Sequence, residues 1–209
     1  MKVILVSSRK GGCGKSTISA NLACYFSNRG LKVALMDLDP QQTLKFWRSE
    51  RVAEFPILID CAPDDWLIQS SELEEDHFDL LVIDSPPLDK KWIKNLMRQV
   101  ELVVIPTRAS PLDVYSATFS NEWAKKSGST TRWVINAAHP NSRMPGDIKT
   151  SLQSIAKVFD TVIHQRTDIS LSMAEGMSLE EFAPNSKSSV EFSELGAEVR
   201  SLLKIKCKK

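Results

Sequence analysis

Two lysines enclose a run of glycines near the start of the chain, in the segment Arg9-Lys10-Gly11-Gly12-Cys13-Gly14-Lys15-Ser16-Thr17. The apolar run 3–7 leads into this segment and a helical pattern, 15–29, follows it. A strand that enters a helix through a glycine-rich turn directs backbone N–H groups and the positive end of the helix dipole at one point. Glycine at three of four consecutive positions lets the main chain curl without interference from Cβ atoms. The segment therefore predicts a loop that binds phosphate groups.

The residues that follow the glycines have the types needed for nucleotide chemistry. Lys15 would reach the β- and γ-phosphates, and the Ser16 hydroxyl can ligate the Mg²⁺ that bridges them. The usual signature, G-x-x-x-x-G-K-[ST], would place glycine at position 9, where this chain has Arg9. Lys10, five residues before Lys15, is a departure from the common pattern that needs an explanation of its own.

Carboxylates follow two further apolar runs. Asp37 and Asp39 lie at and just beyond the end of the run 32–37, and Asp84 ends the run 79–84. Ligands of open α/β sheets bind at the carboxyl ends of strands, so these acids are expected beside the glycine-rich loop. If both are extended, Asp37 and Asp39 point the same way. One could then hold a Mg²⁺-bound water and the other orient an attacking water, with Asp84 as an indirect magnesium partner.

Simpler interpretations of these acids remain open from the residues alone. Asp37 and Asp39 would equally serve to solubilise the end of a strand, and Asp84 would serve as a helix cap. Pro86 and Pro87 stiffen the turn after Asp84, which suits a segment that senses a γ-phosphate.

Short apolar runs alternate with helical patterns along the chain, which is typical of a parallel sheet with crossover helices. The predicted strands are 3–7, 32–37, 79–84, 101–106, 132–136 and 160–164. The predicted helices are 15–29, 41–53, 65–76, 89–99, 112–126, 146–157 and 186–204. We therefore predict an α/β fold with three layers, a mostly parallel twisted sheet flanked by helices (P-loop NTPase), as a single ATPase domain over 1–209.

Composition excludes several classes of protein. With 27 Lys and Arg against 26 Asp and Glu, the net charge is +1, so any surface for nucleic acid must be local. The four cysteines form no C-x-x-C pair, which argues against a zinc site or a disulfide framework. No apolar run approaches the roughly 18 residues of a membrane span. We expect a cytoplasmic protein.

Together these motifs resemble the ParA/MinD family of deviant Walker-A ATPases, and most of all small ParA-type partition proteins without an N-terminal DNA-binding domain. The similarity extends downstream of the motifs already described. The further segments that carry it are Asp39-Pro40-Gln41, Asp84-Ser85-Pro86-Pro87, Ile105-Pro106-Thr107-Arg108-Ala109-Ser110-Pro111-Leu112-Asp113, His164-Gln165-Arg166 and Ala174-Glu175-Gly176-Met177-Ser178.

The resemblance implies a homodimer that sandwiches ATP and Mg²⁺, with Lys10 reaching across the interface to the phosphates bound by the partner. Such a cation delivered in trans stabilises charge on the γ-phosphoryl group, as an arginine finger does. The implied catalytic residues are Lys10, Lys15 and Asp39, with Asp39 positioning the hydrolytic water. The implied nucleotide-binding residues are Lys10, Gly11, Gly12, Cys13, Gly14, Lys15, Ser16, Thr17 and Asn136, of which Asn136 contacts adenine. The implied metal-side residues are Ser16, Asp37 and Asp84.

The same resemblance implies a slow Mg²⁺-dependent ATPase that is associated with the nucleoid. ATP-bound dimers would bind DNA non-specifically, and a ParB-like adaptor on the cargo would stimulate hydrolysis, so that plasmid, chromosome or other cargo is segregated. The candidate phosphate-contacting residues are Arg143, Lys149, Arg166, Lys187, Arg200, Lys204, Lys206, Lys208 and Lys209.

Two alternatives stay open. The C-terminal segment 199–209 alternates apolar residues with lysines, so a MinD-like membrane-associated ATPase is an alternative, although the segment is short and lacks aromatic residues. Relatives also use this type of nucleotide-binding domain for iron–sulfur or ligase chemistry, but the cysteines here lack the spacing of iron–sulfur cluster ligands.

Overall fold

Seven parallel strands form one sheet in the computed structural model, which describes residues 1–87, 91–142 and 144–207. The strands are β1 (Lys2–Val6), β2 (Val33–Asp37), β3 (Ile57–Ile59), β4 (Leu80–Asp84), β5 (Leu102–Arg108), β6 (Thr130–Ala138) and β7 (Val158–His164). Their order in the sheet is β3-β2-β4-β1-β5-β6-β7, and every neighbouring pair is parallel.

Helices cover both faces of this sheet. They are α1 (Lys15–Ser27), α2 (Thr43–Glu50), α3 (Trp66–Glu75), α4 (Lys91–Met97), α5 (Pro111–Ser127), α6 (Met144–Gln153), α7 (Thr167–Ala174), α8 (Leu179–Phe182) and α9 (Lys187–Leu203). Side chains of α1, α2, α7, α8 and α9 pack on one face, and those of α3 to α6 pack on the other. The predicted three-layer α/β fold class is confirmed.

The central strands explain why the sheet is buried on both sides. The first core cluster lies between the sheet and α1, α2, α7, α8 and α9, and the second lies between the sheet and α3 to α6. In β1, Ile4 and Val6 face the first core cluster, while Val3 and Leu5 face the second. Alternate residues of a strand point to opposite faces, so a continuous apolar run supplies both cores at once. This is why the six longer strands were recognisable from their composition.

Three elements were not predicted. β3 has only three residues, directly after Pro56, and is too short to show a pattern. α7 and α8 are short helices, of eight and four residues. α8 nevertheless carries a readable signal, since Ser178 and Glu181 form a capping box. Part of the predicted helix 89–99 lies outside the described residues, which resume with α4.

The strand order places the end of β1 at the centre of the molecule. From β1, the sheet extends through β4 to β2 and β3 on one side, and through β5 to β6 and β7 on the other. In open α/β sheets a crevice forms where the chain changes direction in this way, at the carboxyl ends of the strands. The loop between β1 and α1 lies at this crevice.

An ion pair that is buried on its arginine side joins the end of α2 to α8. The Arg51 guanidinium makes two hydrogen bonds to the Glu181 carboxylate, at 2.8 and 2.7 Å, and also donates to the Gly176 and Phe55 carbonyls. Only 2% of the Arg51 side chain is exposed. Nearby, the Trp47 indole N–H donates to the Met177 carbonyl at 3.3 Å. These contacts lock together two parts of the chain that are distant in sequence.

Replacing Arg51 should therefore destabilise the fold. Removing one partner of a buried pair costs about 3–5 kcal/mol because the other charge remains without its partner. The Glu181 side chain is 26% exposed, so we expect the lower end of that range, about 3 kcal/mol, for Arg51→Met in urea unfolding. The matched control is Lys45→Met, which breaks an exposed pair with Asp60 and should cost about 0–1 kcal/mol. Equal losses in the two variants would contradict a special role for the buried pair.

Candidate functional site

The glycine-rich loop has a backbone that only glycine adopts easily. Gly12 and Gly14 have φ angles of 66° and 89°, in the left-handed region. A Cβ atom at Gly14 would also lie 2.1 Å from the Asn136 Nδ2 atom, which excludes any side chain there. Gly14 is the N-cap of α1, and no side chain caps this helix. The N–H groups of the first turn are therefore left for a ligand, and anions are favoured at this position.

A cavity of about 530 Å³ opens beside the loop. This volume lies within the range of small-molecule sites. Its described lining combines the loop with the segments that follow β2 and β4. The lining residues are Gly11, Gly12, Gly14, Lys15, Ser16, Thr17, Asp39, Pro40, Gln41, Thr43, Pro86 and Pro87. Seven of the predicted site residues thus meet at one cavity, whereas Lys10, Cys13, Asp37, Asp84 and Asn136 lie around it.

Asp84 contacts Ser16 but does not itself line the cavity. The Ser16 hydroxyl donates to Asp84 Oδ2 at 2.6 Å, and the other carboxylate oxygen, Oδ1, is buried without a hydrogen-bond partner among the described residues. Burial raises the pKa of Asp84 from 3.8 to about 7; the Ser16 hydrogen bond opposes this shift and the nearby Asp37 carboxylate adds to it. A buried polar atom without a partner calls for an explanation.

The Ser16 and Asp84 oxygens fit a Mg²⁺ ion that takes its other ligands from phosphate and water. Mg²⁺ prefers oxygen ligands and usually retains several waters while binding one or two protein groups. Within the described part of the chain, no group of three or more His, Cys, Asp or Glu side chains could hold a metal by itself. The donor set is thus suited to a metal that arrives with a nucleotide.

Asp37 and Asp39 do not act as a matched pair. β2 ends at Asp37 and Asp39 lies in a bend, so the two residues are not both extended and the condition under which they would point the same way is not met. Both Asp37 oxygens accept backbone hydrogen bonds at 3.0 Å, from Asp39 and from Leu44 in the first turn of α2. Burial raises the pKa of Asp37. Its position favours a role in shaping the loop, and its role on the metal side stays a prediction.

Asp39 faces the cavity instead. Its Oδ2 lies 3.5 Å from the Nζ atom of Lys15, and only 7% of the Lys15 side chain is exposed. The two groups form an ion pair at the cavity, with the lysine on α1 and the carboxylate on the loop after β2. A phosphate group bound to the lysine would have beside it a carboxylate that can orient water.

Lys10 does not line the cavity of its own chain. Its Nζ atom lies 2.6 Å from Asp113 Oδ1, in the first turn of α5, and 43% of its side chain is exposed. Asp113 also accepts a short hydrogen bond from Ser110, the N-cap of α5. The two glycine-flanking lysines are thus separated, since Lys15 lines the cavity and Lys10 pairs with a residue of α5.

Two contacts to the loop backbone come from neighbouring strands. The Asn136 side chain donates to the Cys13 carbonyl at 2.7 Å, and the Arg108 guanidinium donates to the Gly12 carbonyl at 2.6 Å. The Cys13 side chain is buried, and burial raises the pKa of its thiol. Arg108 and Asp113 were not among the predicted site residues, although both follow closely on the carboxyl end of a strand next to β1, which is the signal that could have found them.

The buried Asp84 carboxyl should make stability depend on pH. Its pKa is about 7 in the folded protein and near 3.8 when exposed, so between these values the folded state keeps a proton that the unfolded state has released. Stability therefore decreases as pH rises through this window. We expect Asp84→Asn to become progressively more stable than the unsubstituted protein from about pH 4 to about pH 7, measured by urea unfolding of the nucleotide-free protein.

The control for this experiment is Asp64→Asn, which replaces an exposed aspartate. It reports the effect of removing a carboxylate that lies at the surface, away from the cavity. A stability difference for Asp84→Asn that is flat with pH would show that the carboxyl titrates normally.

Comparison with known proteins places this geometry in a family. Residues 4–179 match the family described as CobQ/CobB/MinD/ParA nucleotide binding domain. The chain is 30% identical over 199 residues to the maintenance of carboxysome distribution protein A of Halothiobacillus neapolitanus, covering 90% of this chain and 91% of that relative.

Solved structures share the fold. The septum site-determining protein MinD from Pyrococcus horikoshii, complexed with Mg-ADP, matches with a TM-score of 0.79 at 20% identity, over 100% of this chain and 99% of that one. A variant of Cyanothece McdA in complex with ATP matches with a TM-score of 0.76 at 19% identity, over 100% and 98%. Since the family match spans β1 through the start of α8, and a relative is 30% identical over nearly all of the chain, this chain belongs to the CobQ/CobB/MinD/ParA nucleotide-binding family, as its motifs predicted.

Proposed function

We propose that the chain is a single-domain, ParA-type positioning ATPase that dimerises on ATP, binds nucleoid DNA non-specifically and hydrolyses ATP slowly until a cargo-bound adaptor stimulates it. The observation that carries this proposal is the separation of the two lysines. Lys15 lines the cavity beside Ser16 and Asp39, while Lys10 is partly exposed, pairs with Asp113 and does not line the cavity. A loop with one lysine at its own nucleotide site and a second lysine outside that site suits a site completed by a second subunit.

Within one chain, each group has a distinct task. The first-turn N–H groups of α1 and the Lys15 ammonium bind the phosphates, and Ser16 with Asp84 holds the metal side. When bound, Mg²⁺ would neutralise charge on the β- and γ-phosphate oxygens. Asp39 accepts a hydrogen bond from the attacking water and so orients it. The Lys10 ammonium then supplies positive charge across the dimer interface.

The relatives support a role in positioning cargo. The Halothiobacillus neapolitanus relative is named for maintaining the distribution of carboxysomes, and it matches nearly the whole chain. We therefore include protein bodies, as well as plasmids and chromosomes, among the cargoes that a ParB-like adaptor would link to this ATPase.

The basic residues proposed to contact DNA phosphates differ in whether they already form ion pairs within the chain. Lys149 pairs with Asp160, and Arg166 pairs with Glu191 through two hydrogen bonds of 2.7 Å, so these cations are already neutralised. Lys187, Arg200, Lys204 and Lys206 are exposed and form no ion pair with other described residues. Arg143, Lys208 and Lys209 lie outside the described residues. The C-terminal end of α9 is therefore the better candidate surface.

The membrane alternative is less well supported. An interfacial helix needs an exposed apolar face. Val199 is fully buried, and Leu202, Leu203 and Ile205 pack against the first core cluster. Of the helices in the described residues, none is long and apolar enough to span a bilayer.

Substitution of the two lysines should separate binding from hydrolysis. Lys15→Ala should lose ATP binding because its ammonium faces the phosphates. Lys10→Ala should bind ATP normally but lose its dimer-dependent hydrolysis by about 10²- to 10³-fold, as expected when a group that stabilises developing charge is removed. Asp39→Ala should bind ATP and accumulate as a dimer, measured by size-exclusion chromatography.

Hydrolysis per subunit, measured against protein concentration, is the decisive assay for Lys10. Lys45→Ala is the matched control, since it removes an exposed lysine that also pairs with an aspartate. Normal turnover of Lys10→Ala at saturating ATP would rule out the role in trans.

DNA binding should depend on ATP and on salt. Each phosphate contact contributes about 0.9 to the slope of log affinity against log salt, so the Lys204→Ala/Lys206→Ala double variant should lower that slope by about 2. Lys149→Ala, whose partner already neutralises it, should leave the slope nearly unchanged. Fluorescence anisotropy with unrelated DNA duplexes measures both. Binding that is indifferent to salt, or equal without ATP, would argue against this part of the proposal.

A further inference from the structure

Two consecutive carbonyl groups of the phosphate loop are held by side chains from outside the loop. Arg108, the last residue of β5, donates to the Gly12 carbonyl, and Asn136, in β6, donates to the Cys13 carbonyl. The two distances are 2.6 and 2.7 Å. β5 and β6 are adjacent strands on the same side of β1, so both donors approach the loop from one direction.

We infer that Arg108 and Asn136 are positioning residues that fix two peptide groups of the loop so that the N–H groups of Cys13 and Gly14 face the nucleotide phosphates. A trans peptide unit is planar and directs its N–H opposite to its C=O. Holding the Gly12 carbonyl therefore orients the Cys13 N–H, and holding the Cys13 carbonyl orients the Gly14 N–H. This inference rests on the proposed function, because it assumes that the loop binds a nucleotide.

The cavity lies on the side that this geometry requires. Apart from the loop and the start of α1, its described lining comes from the segments after β2 and β4, including Asp39 and Pro86. β4 and β2 lie on the opposite side of β1 from β5 and β6. Carbonyls that point towards β5 and β6 therefore leave the N–H groups pointing towards the cavity.

The packing at Gly14 is adapted to the Asn136 donor. A Cβ atom on Gly14 would overlap the Asn136 amide at 2.1 Å, so glycine at this position is what lets the amide reach the loop. A Cβ atom on Gly12 would contact the Arg108 guanidinium at 3.5 Å. Asn136 is buried, whereas Arg108 is exposed, so Arg108 can be replaced without opening the core.

Holding the loop before the ligand arrives has a physical benefit. Glycine loses more conformational freedom on ordering than any other residue, and this loop contains three glycines. Ordering them in the free protein removes that loss from the binding step, which is preorganisation. The Asn136 amide donates through Nδ2 and keeps Oδ1 as an acceptor, so its contact with the loop is compatible with the adenine contact predicted for it.

The test compares Arg108→Ala and Arg108→Lys with the unsubstituted protein. Arg132→Ala is the matched control, since it removes an arginine from the start of β6, where it donates to the Thr131 carbonyl. Dissociation constants for ADP and for ATP are measured by isothermal titration calorimetry. Amide hydrogen exchange at Cys13 and Gly14 is measured in the nucleotide-free protein by NMR.

For Arg108→Ala we expect affinity for both ADP and ATP to weaken by about tenfold, the effect of losing one hydrogen bond from a charged group. The affinity should fall by the same factor for both nucleotides, because the loop N–H groups bind phosphates that ADP and ATP both possess. Exchange at Cys13, whose peptide group Arg108 holds, should become faster, and exchange at Gly14, whose peptide group Asn136 holds, should change less. Arg108→Lys should recover part of the affinity, and Arg132→Ala should match the unsubstituted protein.

Other results would overturn the inference. A loss confined to ATP would show direct contact of Arg108 with the γ-phosphate, and unchanged exchange at both amides would show that the loop is not held. If the unsubstituted protein binds both nucleotides and Arg108→Ala binds them equally well, the positioning role fails while the proposed function stands. If the unsubstituted protein binds neither nucleotide, both fail together.

Discussion

The register between β1, β4 and β2 is the constraint on which the site depends. Val6 pairs with Asp84, and Asp84 pairs with Asp37, so three strands end at the same level. The first turn of α1 therefore meets the end of β4, and Ser16 reaches the Asp84 carboxylate. A slip of one residue in β4 would turn Asp84 to the opposite face of the sheet and separate it from the loop. The apolar residues that specify this register are thus as important to the site as the polar ones.

The negative charges that the site brings together lower the stability of the folded protein when no cation balances them. Asp84 is fully buried with an oxygen that lacks a partner in the described residues, and Asp37 and Asp39 lie close enough to raise its pKa further. Three carboxylates around one cavity repel each other unless cations are present. Lys15 is one such cation, and a bound metal would be another. The arrangement is understandable as a site prepared for a ligand that carries positive charge with it.

The features that could be predicted from the sequence are those formed by contiguous residues. The glycine-rich loop, the long buried strands and the acids at their ends depend on local pattern, and they lie where expected. The end of β2 at Asp37 agrees with the predicted run 32–37, but the spacing of Asp37 and Asp39 does not show how the chain turns after the strand, so the different surroundings of the two carboxylates were not predicted. The contacts of Arg108 and Asp113 depend on which strands are neighbours, and the Arg51–Glu181 pair joins residues 130 positions apart. Such contacts follow from the tertiary fold and have no local signature.

Helix α2 is fastened at both of its ends, and this affects how the cavity wall can move. At its start, the Leu44 N–H is bound by Asp37, and just beyond its end Arg51 is bound by Glu181 and the Gly176 carbonyl. A helix of eight residues is about 12 Å long and behaves as a short rigid rod. It therefore cannot change its tilt without breaking contacts at one end or the other. The segment that carries Asp39 is thus mechanically joined, through this rod, to the part of the chain around α8.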